Sequence, residues 1–508
     1  MNQPIQQEND PTSLVNRVRA LPVVKSLLLL FLLLIWGVLG YGLFRSPFLF
    51  LFGIVIPGAY LIYQTSEVPR PRVEPRWVPI TAGLGTALIA GNILVVECLS
   101  RYTAEALLGA GTFSEEITRE LGQEVIGYGK PPGYPTFLLL TEKVVGQDAL
   151  VGTSIVLQMG VAWATLMALF FIARRSTGSS ALAVISVALV SFNGLWVDEM
   201  VEPRETFLYG AAILGLVSLV VYAPKPSRFS LFTMGLACAL GWLTRPTGVV
   251  LFPALCVLFT KPWSTKFSEM RSVAVVIILC GLSLPMFGWQ TYQYTTCRST
   301  GLPASACFGV TRISGNDSAT NLLKGQNEAL KVVYPYVDVD RLAPVLTEPL
   351  QEAAIQNGED VEQRFINHAL NFVVDSPLDA IALVPKKLVA FFAPLHFPLG
   401  SGTIEMTGAG QWHLQNYRAR PIRRADNLTA LPGVLAFFFV LFNWTTVNQS
   451  MKLTTVIVGL TAIVHVVTFA ETRFRLPYDP ILALLFVQVI ALHWHRFNGV
   501  KNQKNSKA

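Results

Sequence analysis

The sequence predicts an all-α, polytopic membrane protein, a bundle of about twelve transmembrane helices with interfacial helices and a small extracytoplasmic domain. Three observations predict it. Charged residues make up only 14 % of the 508 residues, against roughly a quarter in a soluble globular protein. Hydrophobic residues reach 52 % and gather into runs of about 20, the length that crosses a bilayer. Basic residues concentrate in alternate loops between those runs. A soluble enzyme needs more charge to cover its surface, and a disordered or disulfide-dense chain needs another composition.

The expected spans are 22–44, 46–63, 77–97, 150–172, 181–197, 205–222, 272–290, 429–446, 453–470 and 477–494. A second span follows the first almost at once, with no small-residue cleavage site between, so the first reads as an anchor and not a cleaved leader. Between 229 and 260 one apolar stretch is broken by Thr244-Arg245-Pro246-Thr247-Gly248. Basic loops flank it on both sides, with Lys225 and Arg228 before and Lys261, Lys266 and Arg271 after. If both loops are cytoplasmic, the stretch crosses twice, as a hairpin with Arg245 at its outer tip.

Charge sets the orientation. The loops assigned to the cytoplasm carry 18 Lys/Arg and 5 Asp/Glu (Glu8, Asp10, Glu67, Glu74, Glu269). Short loops rich in Arg and Lys stay inside, so both termini are expected in the cytoplasm, and a bacterial inner (plasma) membrane suits the pattern. Residues 1–76 then form a tail with two additional spans, and 77–290 a transmembrane core with an outer loop at 98–149. Residues 291–428 form an extracytoplasmic region, and 429–508 the last spans and a basic tail. Within 291–428 the pattern Val361 to Val374 predicts an amphipathic helix, and 381–397 is read as interfacial. That reading leaves Arg418, Arg420, Arg423 and Arg424 outside. Cys98, Cys238, Cys256 and Cys280 lie in or beside apolar runs and read as small hydrophobes. Cys297 and Cys307, in a polar stretch, are either a pair or two free thiols.

Charges at membrane depth are expensive and mark functional candidates. Four separate stretches deliver them to the outer face: Glu97 with Arg101 and Tyr102; Asp198, Glu199, Glu202, Arg204 and Glu205; Arg245; and Glu471, Arg473 and Arg475. Any one of these could be a snorkelling anchor or a helix-end ion pair. Their convergence is the signal. A second signal is Lys130-Pro131-Pro132-Gly133-Tyr134-Pro135, where three prolines stiffen the backbone and a glycine permits a sharp turn. The apolar run after it ends near Val145 and is too short to span. The six histidines are scattered, and His465, inside a span, reads as a packing residue.

These residues resemble the GT-C glycosyltransferases that use polyprenyl-phosphate sugars, the group of protein O-mannosyltransferases and aminoarabinose transferases. Five blocks carry the resemblance: Glu97 with Tyr102, Ala106, Leu107, Leu108 and Gly111; Pro131 to Pro135; Glu205-Thr206; Leu243-Thr244-Arg245-Pro246; and Arg473-Phe474-Arg475-Leu476-Pro477. Three features depart from it. Glu97 stands five positions before Tyr102, where the family usually has Asp four before its Tyr, and the spans at 22–63 are additional. The outer domain at 291–380 matches no part of the pattern, and acceptor choice is expected to depend on it.

The resemblance implies transfer of a sugar from a polyprenyl-phosphate donor to an extracytoplasmic acceptor, which could be a lipid, glycan or protein, by inverting displacement. Membrane lipids are the other expected partners, and no nucleic acid is expected. It implies Glu97 as catalytic base and Arg245, Arg473 and Arg475 on the phosphate. Arg101 and Lys130 are further phosphate candidates. Tyr102 and Tyr134 are placed at the substrate, and Glu205 orients an arginine or serves as the base in place of Glu97. The residues suggest no metal cluster and no cofactor, although some GT-C members hold a divalent metal ion with acids. Two other classes share the many spans. A lipid-linked sugar flippase or transporter usually shows internal repeats and a midplane site, and no repeat is visible here. A polysaccharide polymerase would use lipid-diphosphate oligosaccharides.

Overall fold

A computed structural model describes residues 74, 77–108, 131–202, 204–223, 225–260, 268–299, 317–334, 336–392, 397, 399–406, 412–419 and 428–505. The expected spans at 22–44 and 46–63 lie outside the described residues, as do Lys130, Cys307, Arg420, Arg423 and Arg424. The side chains of Arg101, Tyr102 and Cys297 lie outside them too.

The core runs as α1 (Trp77–Leu108), α2 (Gly133–Val145), α3 (Leu150–Thr177), α4 (Ser180–Ser191), α5 (Gly194–Val201), α6 (Thr206–Tyr222) and α7 (Arg228–Thr244). A 3-10 turn (Pro246–Val250) leads into α8 (Leu251–Thr260) and then α9 (Ser268–Ser299). The segment after α9 holds α10 (Asp317–Gly325), α11 (Ala329–Val333), a 3-10 turn at Val339–Leu342, α12 (Ala343–Asn357), α13 (Val361–Asp375) and α14 (Pro377–Phe392). Strands β1 (Gly400–Met406) and β2 (Trp412–Ala419) follow, then α15 (Leu431–Phe442), α16 (Gln449–Val467), 3-10 turns at Thr472–Phe474 and Leu476–Tyr478, and α17 (Asp479–Asn505).

The two faces of α1 show what solvent this bundle meets. Ala90, Ile93, Leu94 and Glu97 are buried, while Leu84, Leu88, Val95, Val96 and Leu99 on the other side are exposed. A helix apolar all round, with its exposed side as oily as its buried side, belongs in lipid. Five helices among the described residues are long and apolar enough to cross a membrane: Val78–Leu99, Leu150–Thr177, Val273–Thr295, Gln449–Val467 and Thr472–Trp494. A sixth candidate pairs Ser180–Ser191 with Gly194–Met200 across a 70° bend. Four apolar helices are shorter: Thr206–Tyr222, Arg228–Thr244, Pro246–Leu258 and Leu431–Phe442.

About twelve full crossings are not reached among the described residues, which exclude the first two expected spans. At 429–446 the apolar run includes the turn Asn443–Thr446, so the helix itself has 12 residues. Apolar composition does not distinguish a helix from the turn that ends it. The bend near 193 has a local cause. Asn193 leaves the helical region, and its Oδ1 accepts from the Trp196 amide at 3.2 Å, starting a new helix in a new direction. Its Nδ2 donates to Asp479 Oδ2 at 2.7 Å, which fixes the bend against α17.

Within 229–260 the chain turns back on itself at the expected break. Gly248 lies against the backbone of Gly241, so close that a Cβ there would fall 2.4 Å from the Gly241 carbonyl oxygen. Helix α7 then packs along α9 with backbones touching, since a Cβ on Gly235 would fall 2.1 Å from the Ile278 carbonyl oxygen. Small residues at such crossings let membrane helices approach through van der Waals contact alone.

The expected amphipathic helix appears as α13, with Phe365, Ala369 and Phe372 buried on one side. The 381–397 helix is α14, starting earlier, at Pro377, and ending at Phe392. The described residues are 84% helical, as an all-α membrane protein should be, with one added hairpin in which β1 and β2 pair antiparallel, from Gly400 opposite Ala419 to Met406 opposite Trp412. Its signal was the short alternation Trp412-His413-Leu414-Gln415, which a helix-length window averages away. Arg418 lies exposed on β2.

Candidate active site

The Pro-Pro-Gly-Tyr-Pro block and the Arg245 hairpin, more than 100 residues apart, are in contact. Gly133 opens α2 against the end of α7, where a Cβ would fall 2.8 Å from Thr244 Cα and 3.0 Å from the Leu243 carbonyl oxygen. Only glycine permits this approach. Tyr134 is buried, its ring edge-on to Phe207 at 6.0 Å and stacked with Phe137 at 6.0 Å. Gly133→Ala must separate these two backbones. It is expected to cost about 1–3 kcal/mol of stability, the usual range for overpacking, and to reduce activity by displacing Arg245. Thermal unfolding in detergent and a turnover assay check it; an unchanged midpoint and rate would mean that the contact is loose.

Arg245 is itself buried, in an extended conformation between α7 and the 3-10 turn. Its Nε lies 3.8 Å from Glu205 Oε1, and its guanidinium carbon stands 5.3 Å from the Phe474 ring centroid. Its Nη1 has no hydrogen-bond partner among the described residues. A buried guanidinium nitrogen without a partner is costly, and a bound anion would satisfy it. Arg473 approaches the same ring, with its guanidinium carbon 5.1 Å from the Phe474 centroid. Phe474 thus contacts two cations that stand far apart in the sequence. His465 stacks on Phe474 at 4.7 Å and keeps Nδ1 3.0 Å from the Phe469 carbonyl oxygen, the packing role expected of it.

Three carboxylates surround Arg473. Glu471 Oε2 lies 2.8 Å from its Nε, and its Nη2 donates to Asp340 Oδ2. Lys324 Nζ donates to Asp340 Oδ1 at 2.9 Å, and Asp338 completes the group. Burial pushes the Glu471 carboxyl up to about 8, against the pull of Arg473 and with help from Asp338 and Asp340. Burial acts on Asp340 in the same sense, but Arg473 and Lys324 together hold it below its usual range.

The α10–α14 segment carrying Asp340 is fastened to this turn. Lys387 donates from Nζ to the carbonyl oxygens of Gly325 and Val466 at 2.7 and 2.8 Å. Tyr334 donates to the Ala470 carbonyl, and Gln326 to Val467 O at 2.7 Å.

Glu199, on α5, is the acid that sequence reasoning did not separate from its neighbours. It is buried, accepts from Thr206 Oγ1 at 2.9 Å, and faces Arg204 Nη1 at 3.7 Å. Arg473 and Arg245 both act on it electrostatically. The bend at Asn193-Gly194, which turns α5 aside, is the signal that could have singled it out.

Glu97 is buried on α1. Helices α1 and α3 run antiparallel, as Gly83 faces Phe170 and Gly91 faces Trp163, and Trp163 Nε1 donates to Ala87 O at 2.9 Å. At a rise of about 1.5 Å per residue, Glu97 lies about 9 Å beyond Gly91 and Gln158 about 7.5 Å beyond Trp163 in the same direction. Gln158 in turn donates to the carbonyl oxygens of Met200 and Glu202. Glu97 therefore stands at the level of the end of α5, and α5 packs against both α1 and the Thr472–Phe474 turn.

Arg475 differs from its neighbours. It is fully buried, with Nε donating to Asp479 Oδ1 at 3.0 Å and Nη1 to the Phe391 carbonyl oxygen at 3.2 Å. Asp479 is also the acceptor from Asn193. This set locks three elements together. Among the described residues no group of three or more His, Cys, Asp or Glu could hold a metal ion.

Residues 129–318 match the dolichyl-phosphate-mannose-protein mannosyltransferase family, which belongs to the GT-C superfamily. The resemblance read from the residues is thus supported over that span, which includes Pro131 to Pro135, Glu205 and Arg245. Glu97, Arg473 and Arg475 fall outside the match. No curated protein matches the chain.

Proposed function

We propose that this multi-pass membrane protein, a glycosyltransferase of GT-C type, transfers a sugar from a polyprenyl-phosphate donor to an extracytoplasmic acceptor with inversion at the anomeric carbon. One observation carries the reading. Arg245 and Arg473 share the Phe474 ring, and Arg245 keeps a buried nitrogen without a partner. A phosphate between them would take up that nitrogen, since a guanidinium can bind two oxygens at once.

The chemistry suits such a cluster. The donor's isoprenoid tail stays in lipid while its phosphate stays at the edge, and a site at helix ends accommodates both. The acceptor oxygen or nitrogen attacks the anomeric carbon, and the bond from that carbon to the phosphate oxygen breaks. The electron pair leaves on the phosphate, which the arginines stabilise, and the acceptor's proton passes to a carboxylate. We assign that proton to Glu97. Glu205 orients Arg245 through its contact with Nε, and Glu199 holds the field between the two arginines and Arg204. Arg475, bonded to Asp479 and the Phe391 carbonyl, acts as a brace for the turn. Arg101, Tyr102, Lys130 and Tyr134 remain candidates for contact with the sugar and phosphate.

The test is reconstitution in liposomes with a radiolabelled polyprenyl-phosphate sugar. Release of free polyprenyl phosphate together with labelled acceptor is expected. Movement of intact donor across the bilayer without release would replace the transferase by a flippase. Turnover of lipid-diphosphate oligosaccharides alone would replace it by a polymerase.

A further inference from the structure

The phosphate reading of Arg473 raises a question of occupancy, because the cation already holds two carboxylates. They are not equivalent. The Glu471 side chain is 3 % exposed and Asp340 is 40 % exposed. Glu471 sits two residues away on the same turn, whereas Asp340 comes from the α10–α14 segment, on the 3-10 turn at Val339–Leu342. That turn is fixed by the buried Val337 and Val339 and by Asp338 Oδ1, which accepts from the Asp340 amide at 2.9 Å. Its backbone is therefore anchored while the carboxylate reaches Arg473 from the solvent side. Lys324 Nζ, 2.9 Å from Asp340 Oδ1, gives that carboxylate a second partner, so letting go of Arg473 would not strand its charge.

We propose that Asp340 is an exchangeable stand-in for the lipid phosphate: it leaves Arg473 for Lys324 when the donor binds, and returns to Arg473 to displace the spent carrier. This rests on the phosphate reading of Arg473 given above. The charges fit an exchange. The donor is a phosphodiester with one negative charge, so replacing one carboxylate by one phosphodiester leaves the charge around Arg473 unchanged. After transfer the carrier is a phosphomonoester of about −1.5 to −2 at neutral pH. It brings more negative charge beside Arg473, and the nearby Asp340 then competes for the same guanidinium. Asp340 is thus a positioning residue that favours release of product, supplied by the region expected to meet the acceptor.

The experiment measures binding of a short-chain polyprenyl phosphate to the full chain in nanodiscs, alongside single-turnover and steady-state rates. Asp340→Asn is expected to bind this product on the order of tenfold more tightly, since a charged competitor is lost. It should lower the steady-state rate by a similar factor and leave the single-turnover rate near wild type. Lys324→Met, which removes the alternative partner, should shift product affinity the other way, several-fold weaker. A merely structural role for Asp340 would lower both rates and would not tighten binding. Unchanged or weakened product binding in Asp340→Asn, with Arg473→Ala still weakening it, overturns the proposal and leaves the phosphate reading intact. Should Asp340→Asn not fold, unchanged product affinity in Lys324→Met overturns it. If Arg473→Ala binds product like wild type, the phosphate reading falls and this inference with it.

Discussion

Arg245→Ala is expected to weaken binding of the polyprenyl-phosphate donor by roughly a hundredfold, from loss of one or two charge-assisted hydrogen bonds of about 1.5–3 kcal/mol each. The residue combines three properties that separate it from a surface anchor. It is buried, it sits against Phe474, and its Nη1 has no partner among the described residues. Its ion-pair partner Glu205 is one-third exposed, so the substitution leaves no deeply buried lone carboxylate and the fold should persist. Arg245→Lys keeps the charge and loses the planar fork, and should recover only part of the affinity. Equilibrium binding of the lipid in nanodiscs measures this. Wild-type affinity in Arg245→Ala would place the phosphate elsewhere.

Glu97→Gln should do the opposite, leaving donor affinity within about twofold and lowering the single-turnover rate by about 10²–10⁴-fold, the usual contribution of a general base. Glutamine keeps the volume and can still accept a hydrogen bond, but it cannot take the acceptor's proton. Glu199→Gln is the informative companion, because Glu199 is the carboxylate on which both Arg245 and Arg473 act. With Glu97 as base, Glu199→Gln should lower the rate by less than about tenfold. If the larger loss falls on Glu199→Gln, the proton belongs to α5.

The elements that carry the site were visible as short blocks of sequence because each block is local. Proline and glycine at 131–135, the break at 244–248 and the charged run at 471–475 all show in windows of a few residues. Their contacts depend on long-range packing. Nothing in the sequence joins Asp340 to Arg473 across 133 positions, or makes Phe474 the ring shared by two arginines. Arg475 shows the reverse. Its buried partner Asp479 stands only four residues later, so the pairing was visible in a short window and was masked by the neighbouring Arg473. The hairpin β1–β2 was hidden in a region read for helical periodicity alone.

The central claim is that acids and guanidinium groups from distant stretches form one phosphate-binding pocket. A density map of the protein with a bound polyprenyl phosphate, or a non-transferable phosphodiester analogue, tests it most directly. The account predicts the phosphorus between the guanidinium groups of Arg245 and Arg473, beside Phe474, with Glu97 facing the anomeric position and the isoprenoid chain descending into lipid. Phosphate bound away from both arginines, or at the opposite ends of the helices, would contradict it.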